Sequence, residues 1–64
     1  GMAFNAKTYR ANKYRQQAWA ELQSAREIKA RVVRGDAYEW ELPRIATFVK
    51  LARLSMHLHL NARS

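Results

Sequence analysis

Apolar positions along the chain form two helical patterns separated by a break. From Ala6 to Arg34 no Pro or Gly interrupts the chain, and Ala, Gln, Arg, Lys and Glu dominate. These are residues of high helix propensity. Ala11, Tyr14, Ala18, Leu22, Ala25 and Val32 recur at three- and four-residue steps, with Ile28 and Val33 at the margins. That spacing puts them on one face of a helix. Asn5 precedes the run as an N-cap, and Phe4 before it is placed to pack on Tyr9 as a hydrophobic staple. Gly35 follows Arg34 where a helix-terminating glycine belongs. Glu27 and Arg31, four residues apart, are expected to pair and add a few tenths of a kcal/mol. The pattern predicts a helix over 6–34, about 43 Å long.

The second pattern, Pro43–Leu60, is the most apolar stretch of the chain. At about 100° per residue, Ile45, Phe48, Val49, Ala52, Met56 and Leu60 share one stripe. Leu51, Leu54 and Leu58 form a second stripe turned well away from it, and Lys50, Arg53 and His57 mark the wet side. Pro43 suits a first turn, where its missing N–H costs nothing. Glu39 and Glu41 precede the positive end of the helix dipole, and His57, His59 and Arg63 lie near its negative end. This predicts a shorter helix over 43–61, with the last residues, 61–64, fraying.

Between the two lies Gly35–Leu42. Tyr38, Trp40 and Leu42 alternate with Glu39 and Glu41 as in an extended segment, while Asp36 with Glu39 would make a capping box for a single turn. The pattern allows either, and two aromatics in so short a connector imply that it packs down, with Trp40 plugging the hairpin end. An antiparallel hairpin pivoting there pairs the second helix with 17–34. The first helix then overhangs by about three turns, 6–16, a length that is marginal as a lone helix in water.

One helix can cover one stripe, so the second stripe calls for a second partner. Length agrees. A 64-residue chain buries only about 60 % of its unfolded surface and leans on disulfides, a metal or oligomerisation. With no Cys, disulfides and thiolate metal sites are excluded and a reducing compartment fits. The expected architecture is therefore an all-α, two-helix antiparallel hairpin, one small domain, dimerising into a four-helix bundle. Its interface is expected among Ile45, Phe48, Val49, Leu51, Ala52, Leu54, Met56 and Leu58.

Charge adds a second theme. Twelve Lys and Arg against five Asp and Glu give a formal net charge of +7, compatible with nucleic acid, an anionic membrane face or an acidic protein as partner. Lys7, Arg10, Lys13 and Arg15 crowd the expected overhang without an acid, beside Tyr9 and Tyr14 that can stack on bases. With Arg26 and Arg31 they are the candidate nucleic-acid contacts, although a solvated basic face is the stronger reading. The connector is too long for a helix-turn-helix, and the second helix is too apolar for a groove of DNA. Gly1-Met2 reads as a tag remnant ahead of a start at Met2, with residues 1–3 expected to be disordered. Lys7, Arg10, Lys13 and Arg15 break any signal-peptide core, and the apolar run carries too many charges to span a bilayer. A cytoplasmic location follows as the default. A membrane-surface role is the weakest of the partner readings, because the apolar arc of the second helix is wide and its charges few.

Catalytic and metal chemistry find little footing. His57 and His59 stand at i,i+2 on different faces, whereas helical ligand pairs need i,i+3 or i,i+4. Glu39 and Glu41 flank Arg34 and Arg44 and are expected to remain ionised as dipole and solvating groups. Ser55 and His59 stand at i,i+4 without an orienting acid nearby in sequence. No Gly-rich phosphate loop exists, Gly35 being the only internal glycine. Trp19, at the margin of the first helix's stripe, is expected to cap the core or meet a second subunit, a small-molecule pocket being the alternative. The functional expectation is a non-enzymatic interaction or assembly module without cofactors, its expected partners a second copy or another protein, with nucleic acid and then membrane as alternatives.

Overall fold

The computed structural model describes residues 5–64, two antiparallel helices packed along their length: α1, Ala6–Arg34, and α2, Leu42–Arg63, preceded by a 3₁₀ turn at Glu39–Glu41. The described residues contain no strand. The staple between Phe4 and Tyr9, like the disorder expected at 1–3, involves residues outside those described.

The ends of α1 are capped as its sequence dictates. The Asn5 side-chain oxygen accepts from the backbone N–H of Lys7 at 3.0 Å and of Thr8 at 3.2 Å. At the other end Gly35 sits at φ 78°, left-handed backbone open to glycine at little cost. There the Gly35 N–H reaches the Val32 carbonyl at 3.0 Å and the Asp36 N–H the Arg31 carbonyl at 2.8 Å. This pair of bonds is the Schellman closure.

The connector is a composite of the two conformations its sequence allowed. Asp36–Tyr38 carries no helix, and a single turn then forms at Glu39–Glu41. The box that closes the turn is not Asp36 with Glu39 but Tyr38 with Glu41, whose carboxylate accepts the Tyr38 N–H at 2.9 Å. Asp36 instead meets the Arg34 guanidinium at 3.4 Å. Nor do the aromatics pack down. Tyr38 and Trp40 stack on each other at 6.0 Å, with the Arg44 guanidinium 5.0 Å from the Trp40 ring, and Trp40 is 59 % exposed. Stacking on each other gives both rings a partner without taking them out of water.

The expected overhang does not exist. The His59 ring reaches the Ala11 carbonyl, and Ala62 and Arg63 border the same hollow as Lys7 and Thr8. The second helical arm is longer at both ends than its apolar pattern shows. The 3₁₀ turn adds to its start, and Asn61–Arg63 continue the helix where fraying was expected. Ser64 closes that end, its N–H on the Asn61 carbonyl at 3.3 Å and its hydroxyl on the Leu60 carbonyl at 3.1 Å.

The two helices meet along heptad lines. On α1 the inward positions are Ala11, Tyr14, Ala18, Glu21, Ala25 and Ile28; on the second arm they are Glu41, Ile45, Phe48, Ala52, Ser55, His59 and Ala62. Steps alternate between three and four residues, as in a coiled-coil seam. Alanine at every seventh α1 position lets the partner side chains approach the backbone itself. Ile28, expected at the margin, is buried, while Val32 is partly exposed. On α2 the first stripe is split: Ile45, Phe48 and Ala52 face α1, whereas Met56 and Leu60 lie exposed on one flank and Leu51, Leu54 and Leu58 on the other. The seam is turned toward the polar Ser55 and His59.

The result is a slab 51 × 22 × 13 Å with a radius of gyration of 15.2 Å. A compact chain of this length would have about 11 Å. One helix thick, the slab has two broad faces, and among the described residues no helix lies across either.

Candidate functional site

Three polar contacts stitch the seam. Near the turn, one Arg31 guanidinium nitrogen lies 2.8 and 2.9 Å from the two oxygens of Glu41, which is buried. The Tyr38 backbone N–H and the Arg31 guanidinium hold the Glu41 carboxyl below its ordinary value, because both stabilise the ionised form. Arg31 therefore bonds across the hairpin and not to Glu27, since a buried carboxylate outcompetes an exposed one. Glu41 is a structural anchor here and not the solvated helix-start charge its neighbours led one to expect.

At mid-seam the Ser55 hydroxyl donates to Glu21 Oε1 at 2.6 Å, and Glu21 Oε2 is buried with no hydrogen-bond partner. At the open end His59, 7 % exposed, places Nδ1 2.6 Å from the Ala11 carbonyl. A carbonyl only accepts, so Nδ1 carries the proton in this contact. The acid that Ser55 and His59 lacked in sequence is thus supplied from α1 by Glu21. It binds the serine hydroxyl directly, and the histidine is engaged with backbone. A nucleophile relay needs the histidine between the other two. Among the described residues no three of His, Asp and Glu converge as a metal site would need. His57 is exposed on α2.

The candidate nucleic-acid residues do not form one surface. Arg31 is committed to Glu41. The Arg26 guanidinium lies 6.0 Å from the Trp19 ring and the Lys13 ammonium 5.7 Å from that of Tyr9. Lys7 and Arg15 border a polar hollow of about 560 Å³ at the open end, shared with Thr8, Asn12, His59 and Arg63. Arg10 is exposed. The overhang that grouped these cations is paired with α2, so the lone basic helix is gone.

The two faces differ. On one, Leu51, Leu54 and Leu58 make an exposed row, Leu54 at 55 %. By helical angle the α1 residues beside the middle of that row are Gln17, Ala20 and Ser24, all uncharged. On the other, the helices part into a groove of about 850 Å³ lined by Trp19, Leu22, Val49, Ala52 and Met56, with Arg15 and Arg53 at its edge. Trp19 is 59 % exposed and caps no core within the hairpin.

The polar seam residues Glu21, Glu41, Ser55 and His59 escaped sequence reading because apolarity was followed there as the guide to burial. The available signal was the seven-residue recurrence of alanine on α1, matched by a heptad on α2 that runs through Ser55 and His59. No helix among the described residues is long and apolar enough to cross a membrane. Comparisons with protein-family models, curated proteins and solved structures find no match to this chain.

Proposed function

We propose that the chain is a non-enzymatic assembly module that acts as a homodimer, two hairpins joining through the Leu51/Leu54/Leu58 face into an antiparallel four-helix bundle. The observation that carries this reading is the uncovered, uncharged leucine row on a slab one helix thick. The exposed surface is 5365 Å², roughly 1,100 Å² more than a compact monomer of this mass presents. A standard interface takes roughly 800 Å² from each partner, so one such contact brings the chain near the ordinary value. Ile45, Phe48 and Ala52 serve the hairpin itself, leaving the three leucines for the dyad.

Sedimentation equilibrium tests this, with and without a short duplex at low salt. The expected result is a dimer indifferent to DNA. Leu54→Arg should give a monomer of unchanged helicity, because Leu54 already points into water within the hairpin, and Lys50→Glu on the wet side should leave the dimer intact. A monomer at all concentrations, or a Leu54→Arg dimer of undiminished affinity, would refute the proposal.

A further inference from the structure

The groove opposite the leucine row has a different electrical character. Its floor is Trp19, Leu22, Val49 and Met56, and Arg15 and Arg53 stand at its edge. Arg26 sits over the Trp19 ring. Toward the open end of the hairpin the groove continues, through the shared Asn12 and Arg15, into the polar hollow where Lys7 and Arg63 add two more cations. No carboxylate lines either. The acids of the chain are placed elsewhere. Glu21 is in the seam, Asp36, Glu39 and Glu41 are at the turn, and Glu27 lies about 80° beyond Trp19 around α1.

We propose that this groove receives an amphipathic helix with acidic flanks, contributed by another protein. Its apolar face would cover Trp19, Leu22 and Met56, and its carboxylates would meet Arg15, Arg26 and Arg53. Helix-in-groove recognition reads anchors at i, i+3, i+4 and i+7. The strip from Arg15 to Arg26 is about 17 Å long, which matches three turns of such a helix.

The other occupants fit this surface less well. A second copy would bring the same arginines together across a two-fold axis with no carboxylate between them, and like charges there oppose association. The phosphates of a duplex would find cations but leave the Trp19 and Met56 floor without an apolar partner. A small amphiphile would stay half in water, because the groove is walled by only two helices, whereas ligand pockets enclose most of their ligand. A helix brings the missing third wall. The inference goes beyond the dimer and uses the opposite face, so Leu51, Leu54 and Leu58 remain available.

The test uses the full chain with Trp40→Phe, which leaves Trp19 as the sole tryptophan. It is titrated with a synthetic helix-forming peptide of about 18 residues, leucine on one face and glutamate on the flanks, and with the same peptide carrying lysine for glutamate. A saturable blue shift is expected with the acidic peptide, at least about tenfold tighter than with the basic one and weakening as salt rises. Arg15→Glu with Arg53→Glu should invert the preference at unchanged helicity, and Met56→Asp should weaken both peptides. Equal affinities, no binding, or no inversion would overturn the proposal. So would a Trp19 shift caused by anionic vesicles or duplex DNA that the acidic peptide fails to reproduce. Sedimentation of the same samples reads the dimer separately, so loss of the dimer with peptide binding retained refutes only the leucine-face reading.

Discussion

Replacing Ser55 by alanine should be the most damaging small change in this protein. Among the described residues its hydroxyl is the one hydrogen-bond donor reaching Glu21, at 2.6 Å on Oε1, while Oε2 is buried with no hydrogen-bond partner there. Removing it leaves a partly buried carboxylate with neither oxygen satisfied. A hydrogen bond to a charged group contributes about 1.5–3 kcal/mol, and its loss exposes the full desolvation cost of the survivor. A domain this small has only about 3–5 kcal/mol of stability, so Ser55→Ala should remove roughly half of it and lower Tm by about 10–20 °C. Glu21→Leu in the same chain should restore stability to the wild-type value or above, because the stranded carboxylate is gone and a seam position becomes apolar. Glu21→Leu alone should be mild, since the Ser55 hydroxyl can turn back to its own helix backbone. Urea denaturation followed by far-ultraviolet circular dichroism, at one fixed chain concentration, gives all four corners of the cycle. A Ser55→Ala variant within about 0.5 kcal/mol of wild type, or a double variant as weak as Ser55→Ala alone, would refute the reasoning.

Two further predictions concern the turn. Glu41 has its carboxyl held low in the folded state, so its contribution is present at neutral pH and disappears as pH falls through that lowered value. Glu41→Gln should therefore melt well below wild type near neutrality and converge with it under acid conditions; a gap that persists in acid would contradict the assignment. At Gly35, a Cβ would meet nothing within 4 Å and φ is 78°, so Gly35→Ala should cost only the left-handed backbone, about 1–2 kcal/mol. An alanine variant as stable as wild type by urea titration would show that the turn relaxes to another conformation.

The helical hairpin was legible in the sequence, and for identifiable reasons. The bounds of α1 rest on local chemistry, the Asn5 cap and the Gly35 closure, each of which acts within a few residues. The two leucine-bearing faces of α2 were legible as more apolar surface than one partner helix can cover. What the pattern could not show was the orientation of α2. Apolar content left open which of the two stripes faces α1, and the helix is turned toward Ser55 and His59, whose partners, Glu21 and the Ala11 carbonyl, lie 34 and 48 residues away in the chain. Nothing local encodes those bonds. The imagined overhang failed for a related reason: Glu39–Glu41 and Asn61–Arg63 are too polar to look like parts of an amphipathic helix, but once aligned beside α1 they carry the pairing to both ends. Of the candidate nucleic-acid residues, Lys7, Arg10, Lys13 and Arg15 stay exposed on the first turns of α1, which are paired with α2 and not overhanging, while Arg31 is committed to Glu41.

A seam of alanines at seven-residue intervals has an ambiguity built into it, since two helices can slide past each other by one heptad and still find small residues facing large ones. In this protein a slide would be ruinous. Moving α2 by seven residues either way would bring Phe48 or Ala62 to the place of Ser55, with nothing to donate to Glu21. The slide that brings Phe48 there would also put Ala52 where His59 meets the Ala11 carbonyl. The polar contacts thus act as a key cut for one alignment, at a cost in raw stability like that of a single polar residue in a coiled-coil core. Any surface the hairpin offers to a partner, the leucine row or the arginine-edged groove, exists only in that alignment.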